Sequence, residues 1–154
     1  MKVSVIVLTL AVLSAGVVVC LADDPNMGTW KLNEAKSKFS PGAGKNHTVV
    51  YEAAGDMVKV TVDGTDSEGK PTHNEWTGKF DGKYYPVTGD PASDMRRYRR
   101  INSRTLALTA KKGAKVTLTG RIAVSANGRS RTVTTSGTDS KGKRVRVKAV
   151  YDKQ

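Results

Sequence analysis

Lys115-Val116-Thr117-Leu118-Thr119-Gly120-Arg121-Ile122-Ala123-Val124, followed by Asn127-Gly128, is the stretch that decides the fold. Val116, Leu118, Gly120, Ile122 and Val124 share one face, and Lys115, Thr117, Thr119 and Arg121 take the other. Period two marks a half-buried strand, because successive Cβ atoms point to opposite sides of a sheet. Asn-Gly then signals a hairpin, since the tight turn it favours needs positive φ. The strand must therefore fold straight back on its successor.

The same grammar extends in both directions. Toward the C-terminus, Arg129 to Thr138 and Arg144 to Tyr151 read as strands joined by a Gly/Lys-rich turn, with Val145, Val147, Ala149 and Tyr151 on one face. Toward the N-terminus lie Arg104 to Ala110 and Met95 to Ile101, separated by turns at Asn102-Ser103 and Lys112-Gly113. Before them come Lys83 to Val87 and Thr72 to Phe80, joined by an Asp81-Gly82 hairpin, with Trp76, Gly78 and Phe80 on one face. Val58, Val60 and Val62 alternate with polar neighbours, as do Val49 and Tyr51, around a Gly55-Asp56 turn. Asn33 to Lys45, with Pro41, Gly42 and Gly44, shows no sustained period and reads as a connection, with at most one helical turn near Glu34 to Lys38. The first strand is Gly28-Thr29-Trp30-Lys31-Leu32. Short strands at near-regular spacing, linked almost entirely by hairpins, predict an all-β, up-and-down antiparallel barrel of about eight to ten strands. No long crossover suggests a Greek key.

Residues 1–22 stand apart. Lys2 is a minimal basic start, Val3 to Val19 is apolar, and Ala22 precedes the polar Asp23, which together read as a secretory signal cleaved near Ala22. A membrane anchor is the rival, but no basic stop-transfer cluster follows. Cys20, the single cysteine, falls in this segment, and Val19 before it argues against lipid modification. The expected address is secreted or periplasmic, with one domain over residues 23–154. That domain has no thiol, so neither disulfides nor thiolate metal sites are open to it.

Its charge is lopsided. Asp23 to Asp90 holds eight Lys/Arg against eleven Asp/Glu, a net of −3, whereas Pro91 to Gln154 holds seventeen against three, a net of +14. In a meander barrel consecutive strands are neighbours, so the C-terminal half forms one basic sector of wall.

Gly28-Thr29-Trp30 on the first strand, the hairpin meander, and the closing Ala149-Val150-Tyr151-Asp152-Lys153 together resemble the calycins, the lipocalins and fatty-acid-binding proteins, and more narrowly small secreted bacterial lipocalin-like proteins. The resemblance implies that Gly28 permits close approach, that Trp30 packs across the closed end, and that a basic residue from a late strand covers it. Arg121 is the candidate for that cover, although its parity turns it from the apolar face. Fatty-acid-binding proteins commonly end in Arg-x-Tyr, which grips a ligand carboxylate; here Tyr151 holds the tyrosine position and Ala149 the arginine position.

Catalysis finds no constellation. His47 and His73 have no partners for a triad or a metal site, and the carboxylates sit mainly in turns. No cofactor is expected. Met95-Arg96-Arg97-Tyr98-Arg99-Arg100-Ile101 puts arginines on both strand faces, so at least one points to the lumen or its mouth, where an acidic ligand group would be a partner. Parity leaves the choice of face open; the resemblance leans toward Tyr98 and Arg100.

The ligand-binding candidates are Trp76, Tyr85, Arg97, Tyr98, Arg100 and Tyr151. Small inward residues, among them Gly78, Gly120 and Gly137, suggest an unfilled lumen. The expected function is a monomeric, non-enzymatic carrier of a small hydrophobic or amphipathic ligand with an anionic head. The alternative is a module whose basic half docks on anionic lipid or another envelope polyanion. Nucleic acid is the poorer form of that alternative, because the basic strands lack aromatic interleaving beyond Tyr98.

Overall fold

The computed structural model describes residues 23–154; the expectations for the leader and for Cys20 fall outside the described residues. Ten strands follow in order: β1 (Gly28–Phe39), β2 (Lys45–Ala54), β3 (Met57–Thr65), β4 (Pro71–Gly78), β5 (Tyr85–Thr88), β6 (Met95–Asn102), β7 (Thr105–Lys112), β8 (Lys115–Val124), β9 (Ser130–Thr138) and β10 (Arg144–Lys153). Each pairs antiparallel with its successor, and β10 pairs with β1 from Trp30↔Lys153 to Phe39↔Val147, closing an up-and-down barrel. Closure gives every strand a partner on each side.

Up-and-down order puts alternate connections at opposite ends. One end holds Gly28 and Lys153, where β1 begins and β10 ends, and is plugged. The Trp30 indole donates to Asn26 O at 2.9 Å, and Trp30, Trp76, Val58, Val60 and Leu106 are fully buried. Trp76 anchors an aromatic cluster with Tyr98 at 4.7 Å and Tyr85 at 5.7 Å, both edge-on, and donates to Arg96 O at 2.9 Å. Such pairs add about 0.5–1.5 kcal/mol each beyond area burial. Gly28 opens β1 at φ 105°, a conformation that side-chain-bearing residues rarely adopt. At Gly78 a Cβ would lie 2.5 Å from the Tyr85 ring and 2.6 Å from the Trp76 ring. Gly78 therefore gives room to rings. A Cβ at Gly120 or Gly137 would strike the backbone of Thr134 or Thr117, so these glycines serve close strand approach rather than lumen space.

Three local readings change. First, β1 runs through to Phe39, where a connection was expected. Its register with β10 shifts between Asn33 and Lys38, and the Ser37 hydroxyl bridges the irregularity. That hydroxyl donates to Asn33 O at 2.7 Å and accepts the Val150 N–H at 2.9 Å, standing in for a ladder carbonyl. Second, Asp81-Gly82 does not close a tight hairpin between β4 and β5, which share only Glu75↔Thr88 and Trp76↔Val87. The segment instead crosses to β6, with Gly82 N donating to Tyr98 O and an Asp81↔Arg99 bridge.

Third, a bulge in β8 breaks the alternation expected from Lys115 to Val124. Ala110 pairs with Leu118, but Lys111 pairs with Val116. The extra residue, Thr117, turns into the barrel, while Val116 turns out and is 49% exposed.

Candidate functional site

The half of the barrel away from the termini is not filled. A cavity of about 320 Å³ runs from the buried residues Tyr51, Tyr98, Ile122 and Tyr151 up to a rim formed by the β1–β2, β3–β4, β5–β6 and β9–β10 loops. Its wall is largely apolar, with Val49, Val62, Leu108, Leu118, Val133 and Val147 among its lining. Two buried cations face it, Arg131 and Arg96.

Arg131 enters from β9, on the inward face with Val133. It stands opposite Val124 on β8 and opposite Tyr151 on β10. Its Cζ lies 4.7 Å from the Trp30 ring centroid, 4.8 Å from Tyr51 and 5.1 Å from Tyr151. The residue is 2% exposed. Three ring faces attract the charge, each interaction worth about 2 kcal/mol when desolvated. Nε and Nη1 are buried without a hydrogen-bond partner among the described residues. A buried guanidinium normally has its donors satisfied, because leaving one unpaired costs about 1–3 kcal/mol or more.

Arg96 contrasts with it. It enters from β6 with Tyr98 and donates through Nη2 to Asn74 Oδ1 at 3.1 Å and to Asp90 Oδ2 at 3.4 Å. Asp90 is itself held by the Ser93 hydroxyl and by Ala92 N at 2.9 Å. One lumen cation is thus neutralised near the rim, and the deeper one is not.

The tyrosines around Arg131 stay protonated. Burial pushes the Tyr51 hydroxyl far above the usual phenol range, the neighbouring Tyr98 adds to the shift, and Arg131 opposes it. Burial pushes Tyr151 up to about 12 against the same opposing cation, and its hydroxyl donates to Asn46 O at 3.0 Å. No nearby phenolate offsets Arg131. A negative group entering the cavity would meet a positive, donor-rich floor.

The structure sorts the expected site residues. Tyr98 and Tyr151 line the cavity. Trp76 and Tyr85 do not; both belong to the aromatic packing of the plugged end, where Tyr85 donates to Asp81 Oδ2 at 2.8 Å. Arg97 is on the outer face, its Cζ 4.8 Å from the Tyr84 ring, so it is corrected to a wall residue. Arg100 has the inward parity, but at the plugged end, paired with Asp24 and 5.3 Å from the Phe80 ring. Arg96 is the arginine of this strand that reaches the cavity. Trp30 packs at the closed end as the resemblance implied, but Arg131 covers it. Arg121 is exposed on the outer face of β8, which its parity already required.

The histidines lie elsewhere. His73 is on the outer wall between Asp63 at 2.6 Å and Glu75 at 3.3 Å, whose carboxylates raise its pKa. His47 contacts Thr65 Oγ1 at 3.1 Å.

No family model matches the chain, and no curated protein matches it. Among solved structures, the chain is similar to one described as "Structure of EF1p2_mFAP2b bound to DFHBI", with 12% sequence identity and a TM-score of 0.47, over 84% of this chain and 94% of that chain. A likeness at that level carries no argument about this chain's ligand, and the barrel assignment rests on the strand pairing itself.

Proposed function

We propose that the barrel is a lipocalin-like carrier, a monomer that holds one small amphipathic molecule in its lumen with an anionic group against Arg131. The observation that carries this reading is a buried guanidinium among the residues lining an apolar cavity, with no carboxylate partner among the described residues. A carboxylate or similar oxyanion would supply the missing countercharge, and charge-assisted bonds to a guanidinium are about twice as strong as neutral ones. The apolar wall above suits a hydrocarbon or aromatic tail. A volume of about 320 Å³ is at the lower end of the range for small-molecule pockets, about 300–1,000 Å³. It suits a short single-tailed ligand rather than a two-tailed phospholipid.

The role is binding rather than catalysis. Neither histidine lines the cavity, and the one carboxylate close to Arg96 is consumed by it. An extracytoplasmic address is part of the reading and rests on the sequence of residues 1–22 alone.

The test is displacement of a fluorescent fatty-acid probe from the protein lacking residues 1–22. A short-chain carboxylate should displace the probe at least about tenfold more effectively than the alcohol of equal length, since a charged hydrogen bond contributes about 1.5–3 kcal/mol. Arg131→Met should erase that difference while leaving the alcohol's effect in place. A flat titration across carboxylates, sulfates and alcohols would sink the reading.

A further inference from the structure

The bulge in β8 runs against stability twice. Without it, Val116 would continue the inward face with Leu118 and Ile122. With it, Val116 is one of two large hydrophobic side chains exposed among the described residues, and Thr117 Oγ1 is buried without a hydrogen-bond partner. Bulges recur where a side chain is re-aimed for use. Here the valine is delivered to the outside of the β7–β8 hairpin tip, at the same barrel end as the cavity mouth. Lys112 to Val116 are all exposed, and the cations around them are dense.

Not all of those cations are free. Lys112 donates to Pro91 O, Lys143 to Pro41 O, and Lys141 pairs with Glu68, each tying one rim loop to another. Lys115, Arg144 and Arg146 have no carboxylate partner among the described residues, and all three are exposed. Arg144 and Arg146 are on the outward face of β10, with β9 between them and the tip. Asp94 accepts Gly113 N, and Asp139 accepts the backbone N–H groups of Lys141 and Lys143.

We infer that this rim is a docking surface for an anionic lipid bilayer, with Val116 entering the interface and Lys115, Arg144 and Arg146 meeting the headgroups. An apolar side chain raised among unpaired cations fits a partner with an apolar layer beneath an anionic one. A nucleic acid or sulfated glycan offers the charge without that layer. Docking in this pose turns the cavity mouth toward the bilayer, and it does not depend on what the lumen holds.

The test is co-sedimentation of the protein lacking residues 1–22 with vesicles of phosphatidylcholine alone or of equimolar phosphatidylcholine and phosphatidylglycerol. Binding should require phosphatidylglycerol and weaken steeply with salt. K115E/R144E should lower partitioning at least about tenfold, as expected from about fivefold per cation near an anionic surface. V116S should lower it severalfold at unchanged charge. R99E/R121E, the same charge change away from the rim, should leave it within about twofold by the same distance dependence. Circular dichroism confirms that each variant folds. Full binding by K115E/R144E or by V116S, equal loss in R99E/R121E, or retention on heparin without vesicle binding would overturn the proposal.

Discussion

Arg121 and Arg131 sit on adjacent strands and point opposite ways, and the difference decides the chemistry. Arg131 shares parity with Val133 and Gly137, a signal present in the sequence but diluted by Thr132, Thr134 and Thr135, which make the alternation in β9 weak. The choice between faces of β6 was undecidable from parity, because arginine occupies both. The packing of Arg96 opposite Ala110 and Tyr98 opposite Leu108 settles it. The buried tyrosines give a pH prediction. Tyr151 is raised to about 12 in the folded barrel, against about 10 for an unfolded chain. Between those values the unfolded chain gives up a proton that the folded chain keeps, so stability is full below pH 10 and falls as pH rises through 12. The loss is on the order of 2–3 kcal/mol. Tyr151→Phe should make the decline visibly shallower in urea midpoints measured across that window; an unchanged slope would show that Tyr151 does not hold its proton.

Strands with bulky alternation were legible, and those with irregular pairing were not. Leu106-x-Leu108-x-Ala110 and Val58-x-Val60-x-Val62 announce their faces, because one-residue slips would expose every one of these side chains. Asn33 to Phe39 reads as a loop because its continuity as β1 depends on one hydroxyl acting as a backbone surrogate, which no periodicity reports. Ser37→Ala removes that surrogate and leaves the Val150 N–H without its acceptor. It should cost about 1–3 kcal/mol, seen as a lower denaturant midpoint at unchanged m-value. A change below a few tenths of a kcal/mol would mean that water replaces the hydroxyl. The β8 bulge escaped for a related reason: alternation from Val116 to Val124 is unbroken in the sequence, and only the pairing of Lys111 with Val116 shows where the period fails.

At the scale of the molecule, the barrel divides into a plugged half and a hollow half. Both indoles and residues 24–28 are spent on the first, which leaves Arg131 as the floor of the second. The charge asymmetry maps largely onto the outer wall and rim, so the two proposed interactions would differ in their response to salt. The proposed lumen binding rests on a desolvated cation and should change little with ionic strength; the proposed rim docking rests on exposed charges and should fade as the Debye length shortens from about 10 Å at 0.1 M salt. The most direct measurement of the lumen account is the NMR signal of the Arg131 guanidinium N–H groups, assigned by its loss in Arg131→Lys. On titration with a short-chain carboxylate, the account predicts a large downfield proton shift and slowed solvent exchange at that one site, with the equal-length alcohol producing neither. A carboxylate that leaves the Arg131 signal unmoved while binding elsewhere, or does not bind, would contradict it.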